Sequence, residues 1–121
     1  MVLIDPSYEV KREYEQVFKT IETGYSKFPT GTYALWYPVV NRQYIHTLER
    51  KFQTRGINNV QRYELGVRPD GRDDGMTASG LFVVNPPWQL RDKMQTLLPK
   101  LAKVLGEDGA GHFKCDVICA E

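Results

Sequence analysis

The chain has 121 residues, of which 41% are hydrophobic and 26% are charged, and its formal net charge is +1. This composition is typical of one folded domain, and it argues against a disordered, fibrous or strongly basic nucleic-acid-binding protein. No apolar run approaches the roughly 20 residues of a membrane helix, and no secretory signal is recognisable, so we expect a cytoplasmic protein with no membrane contact.

The hydrophobic pattern predicts strands that alternate with helices. The predicted order is strand 1–4, helix 10–27, strand 32–37, helix 41–56, strand 60–67, strand 81–84, helix 88–105 and strand 114–120. Asn41 is expected to cap the second helix, and Pro99 is expected to kink or split the third. This order indicates half of a doubly wound α/β sheet, mostly parallel with an antiparallel hairpin strand.

The first predicted strand begins at the first residue of the chain. The apolar run Met1-Val2-Leu3-Ile4 is typical of a buried parallel strand with a neighbour on each side. Nothing precedes it that could form one of those neighbours, so we expect an exposed outer edge and possible self-association through it. We also expect that an amino-terminal half with a glycine-rich cofactor loop is missing from this chain.

The segment Asp5-Pro6-Ser7-Tyr8 is the strongest candidate for catalysis. The Asp5 carboxylate and the Pro6 carbonyl could each accept one hydrogen of an exocyclic amine, while Tyr8 could stack on a base swung out of its helix. The segment follows a strand, at the sheet edge where α/β folds bind their ligands. The alternative is an ordinary helix start, with Asp5 as the cap and Pro6 in the first turn.

The two cysteines and two histidines do not indicate a metal site. Cys115 and Cys119 are four residues apart in the terminal strand. That spacing places both on one face with α-carbons about 13 Å apart, which is too far for a disulfide, so we expect reduced core thiols. His46 and His112 have no recognisable partner and are assigned no role.

Four segments of the sequence carry a family resemblance. They are Leu-Ile-Asp-Pro at 3–6, Ala-Leu-Trp-Tyr-Pro-Val-Val at 34–40, Gly-Met-Thr-Ala-Ser-Gly at 75–80 and Val-Asn-Pro-Pro-Trp at 84–88. Together they resemble the RlmJ (YhiR) family of bacterial methyltransferases, which use S-adenosylmethionine to methylate the N6 amine of one adenine in 23S ribosomal RNA. The resemblance covers residues 2–121 and matches only the carboxyl-terminal half of the family.

The resemblance implies both a fold and a set of partners. Residues 1–121 would form one partial domain, the carboxyl-terminal half of a class I (Rossmann-like) methyltransferase. The cofactor would be S-adenosyl-L-methionine, held by the missing amino-terminal half, and the partner would be 23S ribosomal RNA. We therefore expect the isolated chain to be inactive.

The resemblance also assigns roles within the Asp5 segment. Asp5 looks like the acid that accepts an adenine amine hydrogen, Pro6 supplies the second acceptor, and Tyr8 stacks on the base. Ser7 stands where the family has proline, next to the substrate. Serine frees the backbone but removes neither acceptor, so we expect weaker preorganisation and the same reaction.

Further substrate contacts are expected at the same edge of the sheet. Tyr37 is expected at the rim of the adenine pocket, whereas Trp36 is expected to pack in the core. Arg68 and Arg72 lie in a polar loop and are candidates for phosphate contacts, although a merely solvated loop is an equal alternative. Arg42 is expected on the solvated face of its helix.

A second segment, Asn85-Pro86-Pro87-Trp88, fits the amino-methyltransferase consensus better by its letters. Because it follows the predicted antiparallel strand, it should lie at the edge opposite Asp5. We therefore interpret Asn85 as a helix cap, the prolines as a turn and Trp88 as a packing residue.

Two other functions remain open from the sequence. One is a non-catalytic fragment that binds nucleic acid or protein. The other is an enzyme acting on adenine in DNA, since relatives were also named for the use of external DNA. No residue indicates recognition of a 2′-hydroxyl, so the sequence does not separate RNA from DNA.

Overall fold

The structure is a computed structural model that describes residues 1–6, 11–70 and 75–121. It contains the three helices and five strands predicted from the pattern, plus one short 3-10 turn at Glu107–Gly109. In chain order they are β1 (Val2–Ile4), α1 (Lys11–Lys27), β2 (Tyr33–Val39), α2 (Arg42–Thr54), β3 (Val60–Gly66), β4 (Ala78–Val84), α3 (Leu90–Leu105) and β5 (His112–Cys119). The largest boundary difference is β4, which begins at Ala78 rather than at Leu81.

The five strands form one sheet in the order β1-β2-β4-β3-β5. β1 is parallel to β2, whereas β4 is antiparallel to both β2 and β3, and β5 is antiparallel to β3. The α/β class is confirmed, but the prediction of a mostly parallel sheet is wrong. β4 lies between β2 and β3, so these two strands run in the same direction without touching, and β5 adds a third antiparallel pair.

The two edges at the strand ends differ because β1, β2 and β3 all run in one direction. Their carboxyl ends lie at one edge, which we call the Asp5 edge, and it carries Asp5 and the residues after Val39 and Gly66. Their beginnings lie at the other edge, which we call the Asn85 edge because β4 ends there immediately before Asn85. The direction of a strand therefore decides at which of these two edges the residue that follows it lies.

Helices α1 and α2 cover one face of the sheet, and α3 covers the other. On the first face, Phe52 of α2 contacts Phe82 of β4 with ring centroids 5.0 Å apart, and Phe18 of α1 contacts Phe52 at 5.2 Å. Burial of each such ring contributes about 2 to 3 kcal/mol to folding. On the second face, Leu98 of α3 packs with Ala34, Tyr63 and Val83.

The helix ends confirm one sequence prediction and correct another. Asn41 caps α2, since its side-chain oxygen accepts a hydrogen bond from the backbone N–H of Gln43 at 3.0 Å. α3 begins after Gln89, which has a positive φ of 71° and makes no side-chain cap. Pro99 lies inside α3 and does not divide it.

A β-bulge places the two cysteines on opposite faces of the sheet. Cys115 pairs with Tyr63 and packs on the α3 side, whereas Cys119 pairs with Val60 and packs against the α1 and α2 core. The register shifts between Val60 and Gln61. The prediction of a shared face is wrong because a bulge adds one residue to the strand and reverses its alternation. Both thiols are free, and burial raises the pKa of each.

β1 is an edge strand within the described part of the chain. Its parallel pairing with β2 is as predicted, but Val2 is 50% exposed and Leu3 is 63% exposed, so the strand is not buried on both sides. None of the helices that the structure describes is long and apolar enough to cross a bilayer.

Candidate active site

Asp5 lies at the tip of β1 and lines an open cavity of about 500 Å³. Ile4, the last residue of β1, pairs with Leu35 of β2, and the residues that follow each of them, Asp5 and Trp36, both line the cavity. The cavity lies on the α3 face of the sheet, and its lining residues are Leu3, Asp5, Trp36, Tyr63, Leu65, Ser79, Gly80, Leu81, Met94 and Leu98. Its volume is within the usual range for small-molecule sites, and it is large enough for a purine.

The Asp5 carboxylate is exposed. No hydrogen bond or ion pair links it to another residue within the described ranges 1–6, 11–70 and 75–121. Its oxygens are therefore open to a ligand from the cavity side. The alternative role of Asp5, as cap of the following helix, involves residues 7–10 and lies outside the described residues, as do the roles predicted for Ser7 and Tyr8.

The cavity wall is mainly apolar, and the indole of Trp36 is its largest side chain. Leu65, Leu81, Met94 and Leu98 come from β3, β4 and α3, and they give the wall no charge. An apolar wall with few polar groups suits a flat aromatic ligand, which gains from burial and stacking and is oriented by the polar groups present.

The structure places Trp36 and Tyr37 on the opposite faces from those predicted. Trp36 lines the cavity instead of packing in the core, whereas Tyr37 is completely buried on the α1 and α2 face. Successive residues of a strand point to opposite faces, so only one of the two can reach the cavity. The sequence already indicated this arrangement. Leu35 is a typical core residue, and Tyr33 and Tyr37, each two positions from it, share its face of the strand.

Tyr63 contributes a hydroxyl beside the cavity and is not a base. The side chain is 2% exposed, and burial raises its pKa to about 12. Its hydroxyl donates a hydrogen bond to Oε1 of Gln61. At neutral pH it therefore remains protonated, and Asp5 contributes the carboxyl group among the residues that line this cavity.

Arg68 holds together the two ends of the loop that was expected to face RNA. Its Nη2 donates to the carbonyl of Met76 at 3.0 Å, and its own carbonyl lies 2.9 Å from Nε2 of His112. The guanidinium is therefore engaged at the base of the loop. Arg72, the second predicted phosphate contact, lies outside the described residues.

A group of charged and polar residues that extends from the core to the surface at the Asp5 edge was not predicted. It consists of Tyr37, Arg42, Glu64 and Asp70, and we call it the Arg42 cluster. Arg42 donates to both oxygens of Glu64 at 2.7 and 2.9 Å, and to both oxygens of Asp70 at 2.9 and 3.0 Å. Tyr37 also donates to Glu64 at 2.7 Å. The expectation that Arg42 lies on a solvated helix face is wrong.

The electrostatics of the Arg42 cluster keep Glu64 ionised although it is completely buried. Burial by itself raises the pKa of Glu64, but the hydrogen bonds from Arg42 and Tyr37 outweigh burial and hold this pKa below its ordinary value. The hydrogen bonds from Arg42 likewise lower the pKa of Asp70. The sequence signal for this cluster was Glu64 itself. It occupies a position of β3 that faces the helices, and a charged side chain there requires a partner.

The second motif lies at the Asn85 edge, as strand direction predicted. Val84 pairs with Tyr33 and Val60, the first residues of β2 and β3. The Nδ2 of Asn85 donates to the carbonyls of Pro29 and Gly31 at 2.8 Å each. Asn85 thus joins two loops instead of capping α3.

Trp88 does not pack against the protein, contrary to prediction. Its side chain is 88% exposed. It precedes Gln89, whose left-handed backbone starts α3, and the turn projects the indole outward. The described residues also contain no group of three or more His, Cys, Asp or Glu side chains arranged to hold a metal ion.

Comparison with known proteins places this geometry in context. The family model described as "Ribosomal RNA large subunit methyltransferase D, RlmJ" matches residues 1–119. The chain is 48% identical over 121 residues to a protein of Haemophilus influenzae, and 47% identical over 121 residues to one of Escherichia coli K12. Both relatives are named ribosomal RNA large subunit methyltransferase J.

A solved structure is also similar. The crystal structure of a protein from Legionella pneumophila strain Philadelphia 1 superposes with a TM-score of 0.82 at 34% identity, over 95% of this chain and 42% of that protein. Each curated relative is matched over the whole of this chain but over only 43% of its own length. The chain thus spans less than half of the proteins to which it is similar.

Proposed function

Because the chain belongs to the RlmJ family of ribosomal RNA large subunit methyltransferases, we propose that it carries the catalytic strand of an enzyme that methylates the N6 amine of an adenine in 23S ribosomal RNA. The position of Asp5, at a strand tip and on the wall of a purine-sized apolar cavity, is the observation that carries this proposal. The fold is then the carboxyl-terminal half of a class I, Rossmann-like methyltransferase. The reversed strand β4 supports that assignment as the antiparallel hairpin strand of such a sheet.

The proposed mechanism is positioning of a weak nucleophile. An exocyclic amine conjugated with a purine donates its lone pair to the ring, so it attacks poorly until its hydrogens are held out of plane. In the proposal, an oxygen of Asp5 accepts one amine hydrogen and the Pro6 carbonyl accepts the other. The nitrogen lone pair then points away from these acceptors and towards the methyl donor. As the N–C bond forms, the S–CH3 bond of the donor would break and leave a neutral thioether, and the cationic nitrogen would then lose one proton to solvent.

Trp36 is the proposed wall of the base pocket. The indole lines the cavity beside Asp5, and a base that has left its helix loses stacking which an aromatic side chain can replace. Tyr8 is the second proposed stacking residue and Ser7 lies between it and Pro6. Arg68 and Arg72 remain proposed contacts of the RNA backbone.

S-adenosyl-L-methionine supplies the methyl group in this family's chemistry. The cavity does not fit that cofactor as a complete binding site. Asp5 and Ser79 are its small polar side chains, and its remaining wall is largely apolar, whereas a methionine zwitterion and a ribose need several charged and hydroxyl-binding groups. We therefore assign cofactor binding to residues outside this chain, and we expect the chain alone to be inactive.

The test is Asp5→Asn in a full-length family enzyme that carries this sequence as its carboxyl-terminal part. Asparagine keeps the shape but replaces an anionic acceptor with an amide, so we expect kcat to fall about 100- to 1000-fold with an unchanged melting temperature. Methyl transfer is measured on an adenine-containing 23S RNA fragment and on the equivalent single-stranded DNA. Asp92→Asn, an exposed acid of α3 away from the cavity, is the matched control.

Three results would contradict parts of the proposal. Full activity of the Asp5→Asn enzyme would remove Asp5 from the mechanism. Faster methylation of the DNA than of the RNA would assign the enzyme to DNA adenine. Binding of either nucleic acid without any methylation by the wild-type enzyme would favour a non-catalytic binding module.

A further inference from the structure

The loop between β3 and β4 leaves the sheet at the Asp5 edge and is attached there by backbone contacts. Thr77 donates its backbone N–H to the carbonyl of Val39 at 2.9 Å, and Val67 donates to the carbonyl of Thr77 at 3.0 Å. The contact of Arg68 with the Met76 carbonyl closes the base of the loop. These bonds fix the residues nearest the strands, but they do not reach Asp70.

Asp70 is attached to the body of the protein through Arg42. The guanidinium faces Glu64 with Nη1 and Nη2 and faces Asp70 with Nε and Nη2, so a single side chain holds two carboxylates. Exposure increases along this series, since the Glu64 side chain is 0% exposed, Arg42 is 15% exposed and Asp70 is 45% exposed. These three side chains therefore connect the core of the protein to Asp70 in the loop.

We propose that Arg42 is a positioning residue for ribosomal RNA binding. It anchors Asp70, and with it residues 68–70, to the buried Glu64 and Tyr37 pair, so that this stem of the loop keeps its position at the Asp5 edge when the substrate arrives. Arg42 is not itself a phosphate ligand, because two carboxylates already occupy the nitrogens described above. This inference rests on the proposed function and adds a residue that positions residues 68–70 of the loop proposed to contact RNA.

Side-chain chemistry explains why the residue is arginine. A planar guanidinium presents donors along two edges and can bind two carboxylates in two-point contacts, whereas the lysine ammonium is a compact charge without that geometry. Glu64 needs a permanent cation because it is buried, and Asp70 uses the donors that remain. Lysine at this position would keep a charge near Glu64 but would lose the two-point contact with Asp70.

The experiment is Asp70→Ala in the full-length enzyme. It removes the contact with the loop and leaves the buried Arg42 and Glu64 pair intact. We expect KM for the RNA fragment to rise about three- to fivefold, as for loss of a partly exposed ion pair, with kcat within twofold of wild type and an unchanged melting temperature. Asp70→Glu restores a carboxylate and should recover most of the loss.

A matched control separates positioning from general loss of an ion pair. Glu22→Ala removes the exposed pair of Arg55 and Glu22, which has similar two-point geometry at 3.1 and 3.2 Å but joins α1 to α2. We expect no change of KM there. Arg42→Lys loses the two-point contact with Asp70 and also that with Glu64, so it should raise KM at least as much as Asp70→Ala. Adding Asp70→Ala to Arg42→Lys should raise KM little further, because the contact with Asp70 is already lost.

The outcomes distinguish this inference from the proposed function. Tighter RNA binding by Asp70→Ala would mean that Arg42 becomes, or already is, a phosphate ligand, and would overturn the positioning role. An unchanged KM would overturn it as well. If the wild-type enzyme binds the RNA fragment without methylating it, the proposed function fails, and the same variants compared by fluorescence anisotropy still decide the role of Arg42.

Discussion

The two edges of the sheet carry nearly the same local motif in different surroundings. At the Asp5 edge an acid, a proline and an aromatic residue follow β1, and the acid lines an open cavity. At the Asn85 edge an amide, two prolines and an aromatic residue follow β4, and the amide donates hydrogen bonds to two loop carbonyls. Asp5 lines a space for a ligand, whereas Asn85 makes its hydrogen bonds within the protein itself.

Strand direction accounts for this difference. β1 runs with β2 and β3, and so its end meets their ends, where an α/β sheet forms its ligand crevice. β4 runs against both neighbours, so its end meets their beginnings. The role open to a short motif therefore depends on the direction of the strand that precedes it. The segment that matches the methyltransferase consensus more closely, residues 85–88, lies at the Asn85 edge and not at the cavity.

After Asp5→Asn, the largest effect expected at the Asp5 edge is the difference between substitutions of Trp36 and of Tyr37. Trp36→Ala removes an aromatic wall of the cavity, and since stacking of a base on an aromatic ring is worth about 1 to 3 kcal/mol, we expect kcat/KM of the full-length enzyme to fall roughly 5- to 150-fold. Tyr37→Phe removes only the hydroxyl that donates to Glu64. We expect it to lower the free energy of unfolding by about 1 to 2 kcal/mol with little change in kcat/KM.

Urea denaturation and methylation assays on the same preparations make this comparison. Trp36→Phe is the conservative control and should retain much of the activity, because a flat ring is kept. A larger activity loss from Tyr37→Phe than from Trp36→Ala would contradict the assignment of the two faces.

The next effect concerns the Asn85 edge and should appear in stability alone. Asn85→Ala leaves the carbonyls of Pro29 and Gly31 without a donor and places alanine, which tolerates a positive φ less well than asparagine, at a φ of 52°. We expect a loss of about 2 kcal/mol in the free energy of unfolding and unchanged kcat for the folded enzyme.

Asn85→Gly is the control that separates the two causes, because glycine tolerates the positive φ but also lacks the amide. It should be more stable than the alanine variant and less stable than wild type. Loss of turnover in either variant at a temperature where the protein remains folded would give the Asn85 edge a catalytic role and erase the contrast between the edges.

The smallest expected effect is a pH dependence that belongs to the Asp5 edge. The pKa of Glu64 in the folded protein is below its ordinary value, so its ionised form stabilises the fold at pH values above about 4.3, the pKa of an unfolded glutamate. That contribution is lost as the pH falls through the lower, folded pKa. Wild type should therefore lose its stability advantage over Glu64→Gln as the pH is lowered from 6 to 3.

Urea midpoints of both proteins across this pH range provide the measurement. Asp116→Asn serves as the comparison, because Asp116 is the more exposed partner of another arginine, Arg62. A constant difference between wild type and Glu64→Gln at all pH values would show that the carboxylate of Glu64 is not the source of the effect.

Local pattern was sufficient for the element order and for the candidate acid. Apolar spacing predicted three helices and five strands, and Asn41 caps α2 as its residue type suggested. Asp5 was found because a strand-like run stops at an acid and a proline. These features depend on interactions between near neighbours in the chain, which the sequence records directly.

Side-chain partners across the sheet were beyond the reach of local pattern. The contacts of the Arg42 cluster join residues 22 to 28 positions apart in the chain, namely Arg42 with Glu64, Tyr37 with Glu64 and Arg42 with Asp70. Nothing in the residues around Arg42 distinguishes it from an arginine in solvent. The bulge in β5, which separates the faces of Cys115 and Cys119, is likewise visible only in the pairing of β5 with β3.

The sequence by itself determined the strands, the helices and the family to which the chain belongs, because hydrophobic period, caps and turns act over a few residues. The tertiary structure decided which strands meet, which of Trp36 and Tyr37 reaches the cavity, and which charges are paired. Those outcomes depend on how strands from distant parts of the chain are ordered in the sheet, and the insertion of β4 between β2 and β3 sets the neighbours of every residue at both edges.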